Sequence, residues 1–424
     1  PADYGFHAWM FVLSGFIIEF LVWGFAFCYG AFQEYFLTHP PFSTASEASI
    51  NAVGTTALGL MYCLGYISIW VIKTYPTWVR TMMVVCLLAS VASLFASSFA
   101  TKVWHLILLQ GVVSGTACGM LYPAVLFWIP EWFDKRRNLA SAMLQAGSGV
   151  GGIVFPLLIN SLLKRIGYPW TMRAFSLILL TCAIPVIFSI KPRYPLLLLN
   201  SSSLETPATG SDWKYLKSPL WVSINTTVFL QGLGHFTVSF YASTYTVSMG
   251  YSRSQGTMVL SIFNTAFVIA SVLTGHWCDH HPYTIVMIAT TTFGCALVLG
   301  LWGFATTLSR ILAFYLTFGA LSGSFLAVWT PSVTDVAGSN GSPIVTLMVF
   351  KGLAAVIGPI VAATLHPRRG GEDAICSRSS VLSSAWGACG FRSMMIFVGV
   401  AMGFASCLSF LVLFLRYRRN RTRL

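Results

Sequence analysis

Apolar residues in this chain run in unbroken stretches; they do not recur every second position or every third to fourth. Breaking the sequence at charges, prolines and polar clusters leaves twelve runs, at about residues 8–31, 50–72, 80–100, 103–129, 139–163, 172–190, 219–248, 256–277, 283–304, 309–332, 343–365 and 393–415. Most are near the roughly 20 residues a helix needs to cross the hydrocarbon core of a bilayer. A helix that is apolar all round has no face to offer water. Lipid offers backbone N–H and C=O groups no partners, so a spanning segment must satisfy its own as a helix. The pattern therefore predicts an all-α membrane protein with twelve transmembrane helices. The break at 191–218 contains Ser201-Ser202-Ser203, Pro207 and Gly210 and divides the runs six and six. The expected organisation is an N-terminal six-helix bundle over 1–190, a cytosolic linker over 191–218, and a C-terminal six-helix bundle with a basic tail over 219–424.

Composition sharpens this. Charged residues are 9% of the 424 and hydrophobic residues 56%, where a soluble domain carries about 25% charged. A cytosolic enzyme, a coiled coil and a disordered chain are excluded as the main architecture. The net charge of +13 in a soluble protein would suggest nucleic acid. Here the basic residues sit in short loops and at the C-terminus, which is a topology signal. With the N-terminus inside, 14 Lys and Arg fall on the inner side, 10 on the outer, and Lys351 within a span. Both termini are then cytosolic, and the plasma membrane is the expected location. Ten cysteines are scattered with no CxxC pair. Cys376 and Cys389 share the long outer loop, where an oxidising exterior makes a disulfide between them plausible. No cluster of metal ligands and no nucleophile with a base at recognisable spacing occurs, so no enzyme activity, metal or cofactor is expected.

The strongest local signal is Glu131-Trp132-Phe133-Asp134-Lys135-Arg136-Arg137, followed by Gln145-Ala146-Gly147-Ser148-Gly149-Val150-Gly151-Gly152. The triplet Lys135, Arg136 and Arg137 anchors the cytosolic mouth of the fifth run. The glycine run has no Walker lysine and follows no strand, so Gly147 and Gly151 read as contacts that let helices approach closely. The halves echo each other weakly: Gly167-Tyr168-Pro169 leads into the sixth run and Gly387-Ala388-Cys389 into the twelfth.

Trp132-Phe133-Asp134-Lys135-Arg136-Arg137-Asn138-Leu139-Ala140 resembles the loop-four signature of the monocarboxylate-porter family of the major facilitator superfamily. Asp3-Tyr4-Gly5-Phe6-His7-Ala8-Trp9 resembles the opening motif of its fungal members. The resemblance covers nearly the whole chain. It implies the major facilitator fold, two six-helix bundles working by alternating access, and signature roles for Asp3, Lys135, Arg136, Arg137, Gly147 and Gly151. Gly275-His276-Trp277-Cys278-Asp279-His280 resembles the superfamily motif in which Asp279 would latch the cytosolic gate, with His280 in place of Arg. There are departures. Ala142 and Tyr4 each replace a Gly. Phe267 and Ser271 occupy the slots where animal lactate carriers hold an Asp and an Arg.

A carboxylate in mid-membrane costs on the order of 3 kcal/mol, so Glu19 is expected to face a cavity or a partner. It reads as a proton-coupling or substrate-contacting group, or as a structural hydrogen bond. Lys351 reads as a cation for an anionic solute, a partner for Glu19, or a side chain snorkelling to the cytosol. His235, Gln231 and Asn264 are interior polar groups that would face a solute, or hold helices together. Trp23 and Tyr62, with Phe27, Tyr122, Phe229, Phe263 and Trp329, form a candidate aromatic lining. The expected function is secondary transport of a small organic solute, a monocarboxylate or related anion, with or without coupled protons. The alternative is efflux of an apolar or secondary metabolite, and a non-transporting sensor ranks lower. The expected partners are the solute, protons and the lipid bilayer, with no nucleic acid, in a monomer.

Overall fold

The computed structural model describes residues 5–193, 213–337, 343–365, 386–387 and 390–421. The described secondary structure is helical, without strands. In chain order the helices are α1 (Phe6–Phe27), α2 (Tyr29–Thr38), α3 (Glu47–Cys63), α4 (Gly65–Thr74), α5 (Val79–Ser97), α6 (Val103–Leu106), a π-helical segment (Ile107–Ser114), α7 (Gly115–Leu121), α8 (Pro123–Trp132) and α9 (Arg137–Ser189). They continue as α10 (Pro219–Ser248), α11 (Arg253–Cys278), α12 (Tyr283–Leu299), α13 (Leu308–Leu326), α14 (Trp329–Ala337), α15 (Ile344–Leu365) and α16 (Arg392–Arg421).

The ends follow local chemistry. Ser46 starts α3 by accepting from Ser49 N. Ser252 and Gln255 form a reciprocal capping box at the start of α11, which satisfies N–H groups that no earlier turn can meet. Pro219 and Pro123 open α10 and α8, where a proline gives up no helical bond. The fifth and sixth apolar runs join as α9, a single stretch of 53 residues broken at Gly167 (φ 70). That left-handed backbone is open to glycine at little cost.

Ten helical stretches are long and apolar enough to cross a membrane, among the described residues. Their outer faces carry exposed Trp70, Phe95, Trp104, Leu273, Phe293 and Phe404, as lipid contact requires. Helix α10 is long, at 30 residues, but does not share their apolarity. Its buried residues include the polar Asn225, Thr227, Gln231, His235 and Thr237.

The chain forms two compact units, Pro1–Tyr215 with Val333–Gly352, and Leu216–Ser332 with Leu353–Leu424. In the first, α1 packs along α9. A Cβ on Gly147 would overlap the Phe16 carbonyl, and one on Gly151 would lie 2.6 Å from Gly24 Cα. These glycines are there for close approach. Ser14 and Ser189 hydroxyls join the same helices at 2.7 Å. In the second unit α12 and α16 are joined by Thr291–Ser409 at 3.2 Å and Thr292–Ser406 at 2.6 Å. Small residues and interhelical hydroxyl bonds replace the hydrophobic drive that lipid removes.

The eight described cysteines are free thiols. Asp3, Cys376 and Cys389 lie outside the described residues.

Candidate functional site

Two charged side chains are buried among the described residues, Glu19 at 4% exposure and Lys351 at 7%. Both belong to the first unit. Trp23 follows Glu19 by four residues, so α1 presents them on one face. Trp23 packs on Tyr62 with ring centroids 4.5 Å apart, and on Tyr122 at 5.3 Å. Phe27 completes the row at 6.0 Å from Trp23.

Each tyrosine stands beside an interruption in its helix. Tyr62 is one residue from the end of α3, and Leu64 separates it from α4. Tyr122 fills the gap between α7 and α8, ahead of Pro123. Proline has no N–H to give and crowds the preceding turn, so the ladder breaks there. Tyr122 donates to Met348 Sδ at 3.6 Å. Met348 and Lys351 are three residues apart on α15 and share a face. A Cβ on Gly352 would overlap Tyr62. The helix that carries Lys351 thus reaches the aromatic wall through Met348 and Gly352, beside the breaks after α3 and α7.

The second unit holds a separate cluster. Gln231 and His235 lie four apart on α10, both buried, and Asn264 is buried on α11. The His235 ring is 5.8 Å from Phe263 and 5.8 Å from Phe267. Phe267 stands in a slot where lactate carriers hold a charge, and here it packs against a histidine. Ser271, in the other slot, is fully buried and donates to Val268 O at 2.9 Å. Phe229 and Trp329 have no ring contact with this cluster among the described aromatic pairs.

The basic loop lies between α8 and α9. Arg137 Nη2 is 3.7 Å from Asp134 Oδ1. Arg137 Nε donates to Phe133 O at 3.3 Å, and its Nη1 reaches Thr334 Oγ1 at 3.5 Å. Trp9 packs edge-on against Phe133 at 5.2 Å, and Phe11 stacks on Trp132 at 5.9 Å. The two sequence motifs, far apart in the chain, are in contact.

The family model of the Major Facilitator Superfamily matches residues 11–359. The chain belongs to the major facilitator superfamily. It is a multi-pass integral membrane transporter of small solutes, not an enzyme. Curated relatives include an aspyridones efflux protein of Emericella nidulans, 26% identical over 402 residues, covering 93% of this chain and 79% of that one. A fujikurins efflux protein of Gibberella fujikuroi is 26% identical over 406 residues, covering 94% and 81%. An agnestins efflux protein of Paecilomyces divaricatus is 24% identical over 366 residues, covering 84% and 80%.

In this superfamily transporter Asp279 follows the end of α11, its N–H bonded to His276 O at 3.2 Å. His276 and His280 face each other at 5.4 Å. Among the described residues no three His, Cys, Asp or Glu side chains group as metal ligands.

Some working residues escaped the sequence reading. Glu131 Oε2 accepts from the Arg193 N–H at 3.0 Å, and Arg193 Nη1 donates to Glu131 O at 3.1 Å. Trp132 Nε1 donates to Lys191 O at 3.2 Å. Together they tie the chain leaving α9 to the end of α8. Only the adjacency of Glu131 to the basic loop hinted at this. Arg173 donates to Ser98 Oγ at 3.1 Å and lies over Phe99 at 4.7 Å and Trp170 at 4.9 Å.

Proposed function

We propose that this transporter exports a small, largely apolar aromatic metabolite by alternating access. The observation that carries the reading is the wall of Trp23, Tyr62 and Tyr122, one turn along α1 from the buried Glu19. Aromatic faces hold a planar cargo by stacking, and a lone carboxyl gives one polar point of orientation. The neutral Phe267 and Ser271 on α11 favour the same kind of cargo. The names of three relatives as efflux proteins for secondary metabolites support export.

Twelve spans suit the ten apolar stretches once α9 is divided at Gly167 and α10 is added. A helix lining a solute path needs polar groups on its inner side, and α10 buries them. The bundles would be 1–190 and 219–424, joined by 191–218, with both termini in the cytosol and the molecule a plasma-membrane monomer. Glu19 carries the coupled proton in this scheme: it takes a proton from outside and releases it inside as cargo leaves. Trp23, Tyr62, Gln231, His235 and Asn264 contact the cargo. Lys135, Arg136, Arg137, Asp279 and Asp3 belong to the gate, and Gly147 and Gly151 to the helix contact beside it.

The second reading is proton-linked transport of a monocarboxylate. It draws on the loop-four resemblance and on Lys351, a buried cation on the face shared with Met348. Purified protein in liposomes separates the two. An imposed pH gradient and a panel of planar aromatic compounds beside short monocarboxylates would be used. Export is supported by gradient-driven movement of the aromatic compounds, and refuted by movement of the short acids alone.

A further inference from the structure

The first unit contains a cavity of about 20 Å³ between α1, α3 and the π-helical segment, lined by Ala26, Tyr29, Met61, Gln110, Ser114 and Cys118 among others. A space of about 10–15 Å³ already admits one water molecule.

Gln110 lies midway along the π segment and is 3% exposed. Its Nε2 donates to Tyr168 Oη at 2.7 Å and to Ser97 Oγ at 3.2 Å, with Met172 Sδ at 3.8 Å. The orientation of the amide is fixed by chemistry. Tyr168 spends its proton on Ser97 O at 2.9 Å, and Ser97 spends its own on Leu94 O at 2.7 Å. Both hydroxyls are therefore left as acceptors, and only the NH₂ end of the amide can face them. Turning the side chain over would set oxygen against oxygen. Oε1 is thus held away from these partners, buried, and no donor among the described residues reaches it.

A buried amide oxygen without a donor is costly and rare in native proteins. The side chain that carries it lines a cavity of the right size for the smallest donor there is. Ser114, one turn further along the same segment, adds a hydroxyl to that lining, and a buried water needs two or more polar neighbours. A π-helical turn also widens a helix locally and recurs at functional positions.

We propose that this cavity is a hydration site holding one water molecule, which donates to Gln110 Oε1 and has the Ser114 hydroxyl as its second polar neighbour. The chain then keeps its inward amide satisfied where no protein donor among the described residues reaches it.

The test is X-ray footprinting of the intact transporter in detergent. Radiolysis of a bound water releases hydroxyl radical on the spot, and sulfur is the first atom it oxidises. Met61 (3% exposed) and Cys118 (6%) line the cavity, while Met83 (1%) does not and serves as the buried control. Oxidation of Met61 or Cys118 severalfold faster than Met83 is the expected result, and Ala26→Val should lower it toward the control rate by filling the space. Equal rates at all three residues in the wild-type chain would overturn the site. If Ala26→Val does not fold, Ala26→Ser gives the second readout: its hydroxyl takes up part of the same space, and an unchanged Met61 rate would also count against the proposal.

Discussion

Trp23 and Tyr62 meet with ring centroids 4.5 Å apart at an interplanar angle of 50°. The contact joins the helix that bears Glu19 to the end of α3, beside the break at Leu64. Truncation of Trp23 removes a wall while leaving the carboxyl in place. Trp23→Ala is expected to weaken binding of an aromatic cargo about two- to tenfold, from the 0.5–1.5 kcal/mol of an aromatic pair. Trp23→Phe should recover most of it. Equilibrium binding by tryptophan-independent calorimetry checks both, and equal affinities for wild type and Trp23→Ala would remove this face from the cargo site.

Glu19→Gln separates binding from coupling. The amide is nearly the same shape and carries no charge, so the position is kept without the cost of burying an ion. One proton per cargo makes a one-unit pH gradient support about tenfold accumulation. In Glu19→Gln liposomes accumulation should stop at equilibrium, while exchange of labelled for unlabelled cargo continues. Persistent accumulation would assign the proton to another group.

The contact of α9 with α1 leaves no room for a side chain at Gly147. Gly147→Ala puts a methyl into the Phe16 carbonyl. Overpacking of this kind costs about 1–3 kcal/mol, and backbone cannot move aside as a flexible side chain does. A lower melting temperature in detergent is expected. The same substitution at Gly30, which has nothing within 4 Å, should leave the melt unchanged and is the control.

Much of this architecture was legible in the sequence because lipid writes in runs. Unbroken apolar stretches gave the helices, and Gly167-Tyr168-Pro169, read as leading into the sixth run, is where the structure breaks α9 with φ 70 at Gly167. Glu19 stood out because a carboxyl in such a run needs a reason. The aromatic wall was only a list of names until the fold brought Trp23, Tyr62 and Tyr122 together and left Phe229 and Trp329 elsewhere. Gln110 was invisible: its partner Tyr168 is 58 residues away, and neither a π turn nor a spent hydroxyl proton has a periodic signature. Glu131 and Arg193, 62 residues apart, were hidden for the same reason.

The ion pair of the basic loop should matter little by itself. Asp134 is 78% exposed while Arg137 is 14% exposed, and a pair so open to water is worth at most about 1 kcal/mol. Asp134→Asn is expected to leave stability and transport near wild type. Arg137→Ala also removes the bonds to Phe133 O and Thr334 Oγ1, so a larger loss of transport rate is expected from it. Arg137→Lys cannot supply the guanidinium's several donors and should resemble the alanine change. Initial rates in liposomes at matched protein density check the order, and Asp134→Asn as damaging as Arg137→Ala would place the pair itself in the gate.

Lys351→Met discriminates between the two cargo classes. Methionine keeps the length of the stem and fits an apolar pocket, so the buried position loses a charge and little packing. Removing a buried cation from a bound carboxylate typically costs 2–5 kcal/mol, about 30-fold or more in affinity. A neutral aromatic cargo resting on Trp23, Tyr62 and Tyr122 makes no such demand on Lys351. Under the export reading, Lys351→Met therefore moves aromatic cargo at a rate near wild type. Under the monocarboxylate reading it fails. Competition transport with both cargo types on the same preparation gives the answer, because a folding defect would depress both and a loss of the ammonium would depress one.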